Sequence, residues 1–385
     1  PTRTPTRVPT RTPTRVPTRT PLPAPISGIV QIAAGGAHSC ALTSAGGVWC
    51  WGLNWNGQIG DGTTTNRLTP VAVSGLGSGV RAIALGDSHS CALTSGGAVL
   101  CWGSNNNGEL GDGTLVERRT TPVAVRTLGS GVQAIAAGGS GSNGSSCALL
   151  GSGAVRCWGA NAFGQLGDGS TTDRRAPVAV STLNSGVQAI DVGGSHACAL
   201  TGLGVFVCWG DNTFGQLGDG STNSSSVPVA VSLVSRGSAI SAGEAHTCAV
   251  NRDGAVFCWG RNHIGQLGDG TTADRRTRRL VSGMTSGMTA VAAGARHSCA
   301  LTSGGAVRCW GRNQSGQLGD GSGADRSVPV ALPLLGSGVR ALAAGSEHSC
   351  ALTTAGAVFC WGYNVVGAVG DGTTTGRLQP VPVVR

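Results

Sequence analysis

A Trp-Gly pair recurs seven times along the chain at nearly constant spacing. The pairs begin at Trp51, Trp102, Trp158, Trp209, Trp259, Trp310 and Trp361, so the intervals are 51, 56, 51, 50, 51 and 51 residues. A period near 50 residues is typical of solenoids and propellers, in which each repeat buries its apolar face against its neighbours. The fold is therefore constrained to one small structural unit used seven times.

Each repeat contains two short apolar runs separated by a Gly-rich break. In the sixth repeat the first run ends at Thr302 and the second starts at Ala306, which predicts a β-hairpin with a three-residue loop at 303–305. That register places Cys299 opposite Cys309. Directly opposed residues in an antiparallel pair have Cα atoms about 4.5 to 5.5 Å apart, which is within the window of roughly 4.4 to 6.8 Å that a disulfide accepts.

Two further apolar runs flank this hairpin. Residues 291–294 precede it, and residues 328–332 follow a polar loop and contain Pro329, which a sheet tolerates only at its edge. Four short strands per repeat predict an all-β fold class, a seven-bladed β-propeller with four-stranded antiparallel blades. Since no stretch shows a sustained apolar period of 3.6 residues, we predict almost no helix. An exchanged strand or packing alone could close the ring.

Fourteen cysteines fall into seven pairs with identical spacing. The pairs are Cys40 with Cys50, Cys91 with Cys101, Cys147 with Cys157, Cys198 with Cys208, Cys248 with Cys258, Cys299 with Cys309, and Cys350 with Cys360. Zinc sites need more closely spaced pairs that converge with a second pair, so we predict seven disulfides and no metal, with reduced packing thiols as the alternative. Because disulfides persist in oxidising compartments, we expect the protein to be extracellular or displayed on a cell surface.

The basic residues are all arginines, and there are 27 of them. Five lie in the first 19 residues, which leaves +9 minus 5, or +4, on the rest of the chain. That ordinary balance predicts no nucleic-acid partner. The run 275–279, with four arginines, is interpreted as a solvated loop rather than a polyanion site. No apolar run approaches the ~18 residues of a membrane span, and we expect a monomer.

Residues 1–25 repeat Pro-Thr-Arg-Thr or Pro-Thr-Arg-Val. Proline at every fourth position disfavours helix and sheet and favours extended polyproline II, so this segment is predicted to be a disordered spacer. Residues 26–385 are predicted to form the propeller.

The recurring series His-Ser-Cys-Ala-Leu-Thr, Gly-x-Val-x-Cys-Trp-Gly, x-Asn-x-x-Gly-Gln-Leu-Gly and Pro-Val-x-Val resembles the repeat of the regulator-of-chromosome-condensation family. Proteins of that family form seven-bladed propellers, and the resemblance covers residues 26–385. The paired cysteines suggest a secreted, bacterial-type member. For function, the resemblance implies either guanine-nucleotide exchange, as in the founding nuclear protein, or inhibition of an enzyme. The fold alone decides neither.

Two polar residues recur with the repeat. Histidine lies two residues before a cysteine at His38, His89, His196, His246, His297 and His348, where we expect a hydrogen bond within each blade. Aspartate stands in Gly-Asp-Gly at Asp61, Asp112, Asp168, Asp219, Asp269, Asp320 and Asp371, where we expect Asx turns. Calcium would require more carboxylate or amide ligands in one loop. Structural roles are predicted for both, and blade packing is predicted for the repeat tryptophans.

The variable residues point to function, because a binding site on a ring requires broken symmetry. The loops before the histidines and after Trp-Gly should open on one face, which would carry Leu53, Trp55, Asp87, Asn106, Phe163, Asp211, Phe214, Glu244, Arg261, His263, Arg296, Arg312, Glu347 and Tyr363. Mixed aromatic and arginine side chains are typical of binding hot spots. The predicted binding residues are Trp55, Phe163, Phe214, Arg261, His263, Arg312 and Tyr363. Phe163 and Phe214, together with Ile264, could instead plug their loops.

The chain has no Gly-x-Ser-x-Gly, His-Glu-x-x-His or Gly-Lys-Ser/Thr motif. We therefore predict a non-catalytic binding or adhesion module without a cofactor, whose ligand is a protein or a surface polymer. An exchange factor for a small GTPase and a secreted enzyme inhibitor are the alternatives.

Overall fold

The computed structural model describes residues 25–141, 143–232 and 236–385. These residues form 28 strands in seven four-stranded antiparallel sheets, which confirms the predicted seven-bladed propeller. A 3₁₀ turn at Pro333–Leu335 is the helical element of the described chain. The predicted spacer lies outside the described residues, apart from Pro25.

Each blade is built from four consecutive strands, and the blades are numbered here in chain order. Blade 1 contains β1 Ile29–Ala34, β2 His38–Thr43, β3 Val48–Gly52 and β4 Arg67–Ala72, and blade 2 contains β5 Val80–Leu85, β6 His89–Thr94, β7 Val99–Ser104 and β8 Arg118–Ala124. Blade 3 contains β9 Val132–Gly138, β10 Ser145–Leu150, β11 Val155–Gly159 and β12 Arg174–Ala179, and blade 4 contains β13 Val187–Val192, β14 His196–Thr201, β15 Phe206–Gly210 and β16 Ser225–Ala230. Blade 5 contains β17 Gly237–Ala242, β18 His246–Asn251, β19 Val256–Gly260 and β20 Arg275–Leu280, and blade 6 contains β21 Met288–Ala293, β22 His297–Thr302, β23 Val307–Gly311 and β24 Arg326–Ala331. Blade 7 contains β25 Val339–Ala344, β26 His348–Thr353, β27 Val358–Gly362 and β28 Arg377–Pro382.

All seven predicted disulfides are present, and no cysteine of the described chain is free. Each bond joins the second and third strands of one blade. The bonded pairs are Cys40 with Cys50, Cys91 with Cys101, Cys147 with Cys157, Cys198 with Cys208, Cys248 with Cys258, Cys299 with Cys309, and Cys350 with Cys360. The alternative of reduced packing thiols is therefore wrong for this structure.

The central hairpin of each blade has the register that the cysteine spacing predicted. In blade 6, Cys299 is directly opposite Cys309. Their Cα atoms are 4.1 Å apart, slightly closer than expected. Thr302 donates its N–H to the oxygen of Ala306, so these two residues form a hydrogen-bonded pair. Because such pairs alternate with non-hydrogen-bonded ones, Cys299 and Cys309, three pairs away from the turn, form a non-hydrogen-bonded pair, where the Cα atoms approach most closely.

The first strand of each blade lines a central channel of about 490 Å³, and the fourth strand lies on the outer rim. The channel wall is mostly alanine and glycine, because seven inner strands converge there and leave little room for side chains. The apolar core is divided into seven clusters, each shared by two consecutive blades. Burial therefore stabilises the contacts between blades as much as the blades themselves.

The repeat tryptophans form these contacts between blades. Trp102 of blade 2 is fully buried, and its Nε1 donates a 2.9 Å hydrogen bond to the backbone oxygen of Gln58 in blade 1. Gly60 lies beneath this ring with φ +78°, and a Cβ there would meet Trp102 Nε1 at 2.6 Å. The glycine is thus required both for the turn and for the close approach of the next blade.

The expectation of a histidine hydrogen bond within each blade is wrong. His38 Nε2 of blade 1 lies 2.9 Å from Ser90 Oγ of blade 2, and five further histidines bond to a serine or threonine of the next blade. The histidines are buried and structural, as predicted, but they join blades. A repeat seen in isolation cannot reveal this partner because it lies in the following repeat.

Packing, together with a short backbone bridge, closes the ring. Strand β28 stays in the sheet of its own blade, so no strand is exchanged among the described blades. Pro25 forms an antiparallel bridge with Val384, and Ile26 donates its N–H to the oxygen of Val383 at 3.1 Å. The start and end of the propeller are therefore tied together beside the cluster shared by blades 7 and 1.

Candidate functional site

Two loops of each blade open on the same face of the ring, as predicted. One joins the first and second strands, and the other joins the third and fourth. They are tied together because the residue two positions after each tryptophan donates its N–H to the carbonyl before the histidine position, as Tyr363 does to Glu347 at 2.8 Å and Arg312 to Arg296 at 2.9 Å. We call this surface the loop face.

A recurring asparagine fixes the longer of these loops. In blade 1, Asn54 Oδ1 accepts the N–H of Ile59 at 3.0 Å, and its Nδ2 donates to the oxygen of Thr63 at 3.1 Å. Gln58 Oε1 accepts the N–H of Asn56 at 2.9 Å. An asparagine stands three residues after every repeat tryptophan and is buried in all seven blades. Its constant spacing from the tryptophan is the sequence signal that marks this asparagine.

The aspartates of Gly-Asp-Gly form the predicted turns and also anchor the fourth strand. Asp61 Oδ1 accepts the backbone N–H of Thr63 at 3.0 Å, and its other oxygen pairs with Arg67. Burial raises the pKa of Asp61, but hydrogen bonds from Thr63 and Arg67 outweigh it and hold the pKa below its ordinary value. Five other blades repeat this ion pair. The loops are thus a rigid frame that carries the variable side chains.

Apolar side chains occupy the loop face on two adjacent blades. They are Leu53 and Trp55 of blade 1 with Tyr363 and Val365 of blade 7, and we call them the apolar sector. Trp55 is 64 % exposed and Val365 is 61 % exposed. A tryptophan this exposed on a rigid loop is unusual, because transfer of its large apolar surface out of water is energetically favourable.

Basic side chains occupy the loop face on blades 5 and 6. Arg261, His263, Arg296 and Arg312 form this basic sector. The guanidinium of Arg261 lies 4.6 Å from the ring centre of Phe214, a cation–π contact that holds both side chains. The pKa of His263 is lowered by its partial burial and by the charges of Arg261 and Arg296. The histidine therefore lies near enough to both arginines for their charges to act on it.

Charged groups of both signs surround the channel mouth. Arg312 Nη1 lies 3.0 Å from Glu347 Oε1, and Arg296 Nε lies 3.4 Å from Glu244 Oε2. Burial raises the pKa of Asp87, although hydrogen bonds from Ser346, Ser88 and the backbone of Gly141 oppose the shift.

The extra residues of blade 3 reach this mouth. Ser140 Oγ donates to Glu244 Oε1 of blade 5 at 3.2 Å, and Gly141 bonds to Asp87 of blade 2. The insertion therefore links blade 3 both to its neighbour blade 2 and to blade 5, which is not its neighbour, and Gly139 and Ser140 line the channel. The departure of the third repeat from the common pattern could have suggested an effect at this end of the ring.

The remaining predicted residues are dispersed. Phe163 lies on blade 3 and is 41 % exposed, so it does not plug its loop. Phe214 and Ile264 are half-buried. Asp211 accepts a hydrogen bond from Gln216 Nε2 at 2.8 Å and serves its own loop. Asn106, on blade 2, lies 3.5 Å from Ser104 Oγ.

Metal-binding clusters and membrane-spanning helices do not occur in the described residues. Residues 25–141, 143–232 and 236–385 contain no group of three or more His, Cys, Asp or Glu side chains placed to hold a metal ion. Over the same ranges, no helix has the length and apolar character needed to cross a membrane.

Comparison with known proteins identifies the family. The family model of the RCC1-like domain matches residues 121–385. Of two models of the regulator of chromosome condensation (RCC1) repeat, one matches residues 29–58 and 80–109. The other matches residues 45–93 and 96–142. The chain is 32 % identical over 360 residues to the ultraviolet-B receptor UVR8 of Arabidopsis thaliana, covering 92 % of this chain and 70 % of UVR8. It is 30 % identical over 383 residues to the secretion-regulating guanine nucleotide exchange factor of Bos taurus, covering 92 % of this chain and 71 % of the bovine protein.

A solved structure has the same fold. Human WBSCR16 superimposes with a TM-score of 0.79 at 23 % identity, covering 88 % of this chain and 95 % of that one. At this identity the likeness concerns the fold alone. Taken with the family matches and the seven four-stranded blades, it leads to one conclusion: the chain belongs to the family of RCC1-repeat propellers.

Proposed function

We propose that this protein is a non-catalytic binding module that works outside the cytosol and holds a protein or a surface polymer on its loop face. The observation that carries the proposal is the exposure of Trp55 and Val365, on adjacent blades, from loops fixed by buried asparagines. Rigid loops that present large exposed side chains lose little conformational entropy on binding, so more of the contact energy appears as affinity.

The two sectors of the loop face favour one kind of ligand. An apolar or aromatic group on the ligand would cover Trp55 and Val365, and acidic groups would face Arg261, with the neutral ring of His263 beside it as a hydrogen-bonding group. Aromatic and arginine side chains are the residues that dominate binding energy in protein interfaces. A protein surface with an apolar centre and acidic margin, or an acidic polysaccharide, has this chemistry.

The disulfides support the location. Seven cross-strand bonds with no free cysteine among the described residues are what an oxidising compartment produces, whereas cytosolic thiols are kept reduced. The protein would then meet its ligand at the cell surface or beyond it.

The test is capture of extracellular and cell-surface material by the immobilised protein. Trp55→Ala combined with Tyr363→Ala is expected to reduce capture at least 10-fold, and Arg261→Ala to reduce it about 3-fold. Leu203→Ala is the matched control, because Leu203 is 90 % exposed on a hairpin loop at the opposite face. Equal capture by the double variant and the control variant would contradict the proposal.

Nucleotide exchange on a small GTPase is the second candidate. It is favoured by the similarity to the bovine secretion-regulating exchange factor. The measurement is release of a labelled guanine nucleotide from purified GTPases, with and without the protein. Accelerated release that survives Trp55→Ala and requires reduced cysteines would replace the binding-module proposal, whereas unchanged release would remove this candidate.

A further inference from the structure

The outermost strand of blade 5 differs from its six counterparts. Every other fourth strand has a proline at the same position, namely Pro70, Pro122, Pro177, Pro228, Pro329 and Pro380, whereas β20 has Arg278 there. The interpretation of the four-arginine run as a solvated loop is wrong, because Arg275–Leu280 is a strand. Strands can be this polar at the rim, where half of each strand faces water.

Proline at this position blocks the outer edge of a blade. Val73 donates its N–H to the backbone oxygen of Val48 at 3.0 Å, towards the third strand of the blade. Since N–H groups alternate in direction along an antiparallel strand, the nitrogen of Pro70 points to the opposite, outer side. A proline there has no hydrogen to offer a further strand, which is a known way of protecting a sheet edge.

Blade 5 lacks this protection. Val281 donates inward to Val256 at 3.0 Å. The same alternation directs the N–H groups of Arg278 and Leu280 outward. No strand lies beyond β20 in its sheet as the described residues form it.

The open part of this edge starts at Arg278. The carbonyl oxygen of Arg276 also points outward, but it already accepts the N–H of Gly220 from the long loop of blade 4 at 3.0 Å. That contact covers the beginning of the strand and leaves the part nearer its end open. A further strand would therefore pair along residues 278–280.

Uncompensated positive charge accompanies the open edge. Arg275 is neutralised by Asp269 at 2.9 Å, but Arg276, Arg278 and Arg279 form no ion pair with any carboxylate of the described chain. The guanidinium of Arg278 lies over the ring of Phe257 of β19 at 4.5 Å, so a cation–π contact holds it over the face of the sheet. Side chains alternate between the two faces of a sheet, so Arg276 and Arg278 lie on one face and Arg279 on the other.

We propose that β20 binds an extended acidic segment of a partner protein as a fifth strand of blade 5. The backbone of Arg278 and Leu280 supplies the main-chain hydrogen bonds, and the arginines on both faces bind carboxylates that alternate along the added strand. This surface lies on the outer rim and is separate from the loop face.

The probe is a fluorescein-labelled nonapeptide of alternating Glu and Val, titrated by fluorescence anisotropy. Arg278→Pro installs the residue that six blades already carry, so it removes the outward N–H in a backbone that accepts proline. We expect it to weaken binding at least 10-fold. Arg278→Gln keeps the N–H but removes the charge together with the contact on Phe257, so it should weaken binding about 3-fold, as should Arg279→Gln. Arg308→Gln, an exposed arginine of blade 6, is the control for charge and should have no effect.

Two results would overturn the proposal. One is equal binding by the Arg278→Pro and Arg278→Gln variants, since strand addition requires the N–H as well as the charge. The other is equal affinity for a single-stranded oligonucleotide of the same charge, with the same response to both substitutions, which would make the strip a general polyanion surface. Unchanged circular dichroism of each variant, with an intact count of disulfides, verifies the fold.

Discussion

His348 Nε2 lies 2.8 Å from Ser39 Oγ, although 309 residues separate them in the chain. The hydroxyl of Ser39 is also 3.1 Å from the backbone oxygen of Ala368, to which it donates. The serine has one hydrogen, so the histidine must donate from Nε2. This relay joins the last blade to the first, and the histidine bond to the next blade recurs at five other junctions.

The junction between blades 3 and 4 lacks the relay on both sides. Ser145 replaces the histidine and Ala197 replaces the serine. Ser145 Oγ is consequently buried without a hydrogen-bond partner among the described residues. Each half of the pair would be costly without the other, because a buried polar group with no partner is destabilising.

The first prediction compares two buried serines. Ser39→Ala is expected to lower the free energy of unfolding by about 1 to 3 kcal/mol, because it leaves the His348 donor unsatisfied. Ser145→Ala should be neutral or stabilising, since it removes a hydroxyl that has no partner. Midpoints of urea unfolding at neutral pH measure both. A larger loss for Ser145→Ala than for Ser39→Ala would show that the relay does not contribute to stability.

The second prediction concerns acid. Burial lowers the pKa of His38, His246 and His297 to about 3 and that of His89, His196 and His348 to about 4. Unfolded histidines titrate near 6.5, so below that pH the unfolded chain binds protons that the folded chain does not. Stability should therefore be full above about pH 6.5 and fall as the pH drops towards 4.

Three carboxyls oppose this trend. Burial raises the pKa of Asp191 to about 6 and raises the pKa values of Glu109 and Asp87. As the pH falls, the folded state therefore binds protons at these carboxyls before the unfolded state does, which favours folding. The destabilising effect of the six histidines is expected to be larger, because they are more numerous. His38→Gln should reduce the slope of unfolding free energy between pH 6 and 4 by about 1.4 kcal/mol per pH unit, whereas His263→Gln, on the exposed face, should change it little. Stability that stays constant from pH 7 to 4 would refute the prediction.

The sequence predicted the interior of each repeat well. The spacing of Cys299 and Cys309 set the hairpin register, and four strands per repeat decided that both loops open on one face. Contacts between repeats were harder, because the partners of His38 and Trp102 belong to neighbouring repeats. The apolar sector is assembled only when the ring closes, since it combines loops of the first and last blades. Strand β20 was missed because rim strands need not be apolar.

The third prediction concerns the disulfides. In the chain-entropy model, each loop closed by cysteines ten residues apart contributes roughly 2.7 kcal/mol, and less if the hairpin persists in the unfolded chain. Replacing both Cys198 and Cys208 by alanine should lower the free energy of unfolding by about 1 to 3 kcal/mol, while reductant should destabilise the wild type far more. Protein purified without reductant should contain no free thiols. Fourteen free thiols would contradict the pairing and, with it, the proposed location outside the cytosol.

The fourth prediction is a gain of stability in blade 4. Six blades pair the aspartate of Gly-Asp-Gly with an arginine six or seven residues later. In blade 4, the residue six positions after Asp219 is Ser225 instead of an arginine. Ser225 is opposite Gly210, as Arg174 is opposite Gly159 in blade 3, so an arginine at 225 would reach the carboxylate. Ser225→Arg should raise the free energy of unfolding by about 0.5 to 1 kcal/mol at low salt and by less at high salt.

The matched control for this gain is Ser225→Arg combined with Asp219→Asn. The asparagine retains the turn but carries no charge, so the arginine should then stabilise the protein little or not at all. A gain of equal size in the double variant would attribute the effect to packing of the arginine side chain along the rim. A gain that disappears with Asp219→Asn and weakens in salt would show that the ion pair itself holds the fourth strand against its loop, as in the other six blades.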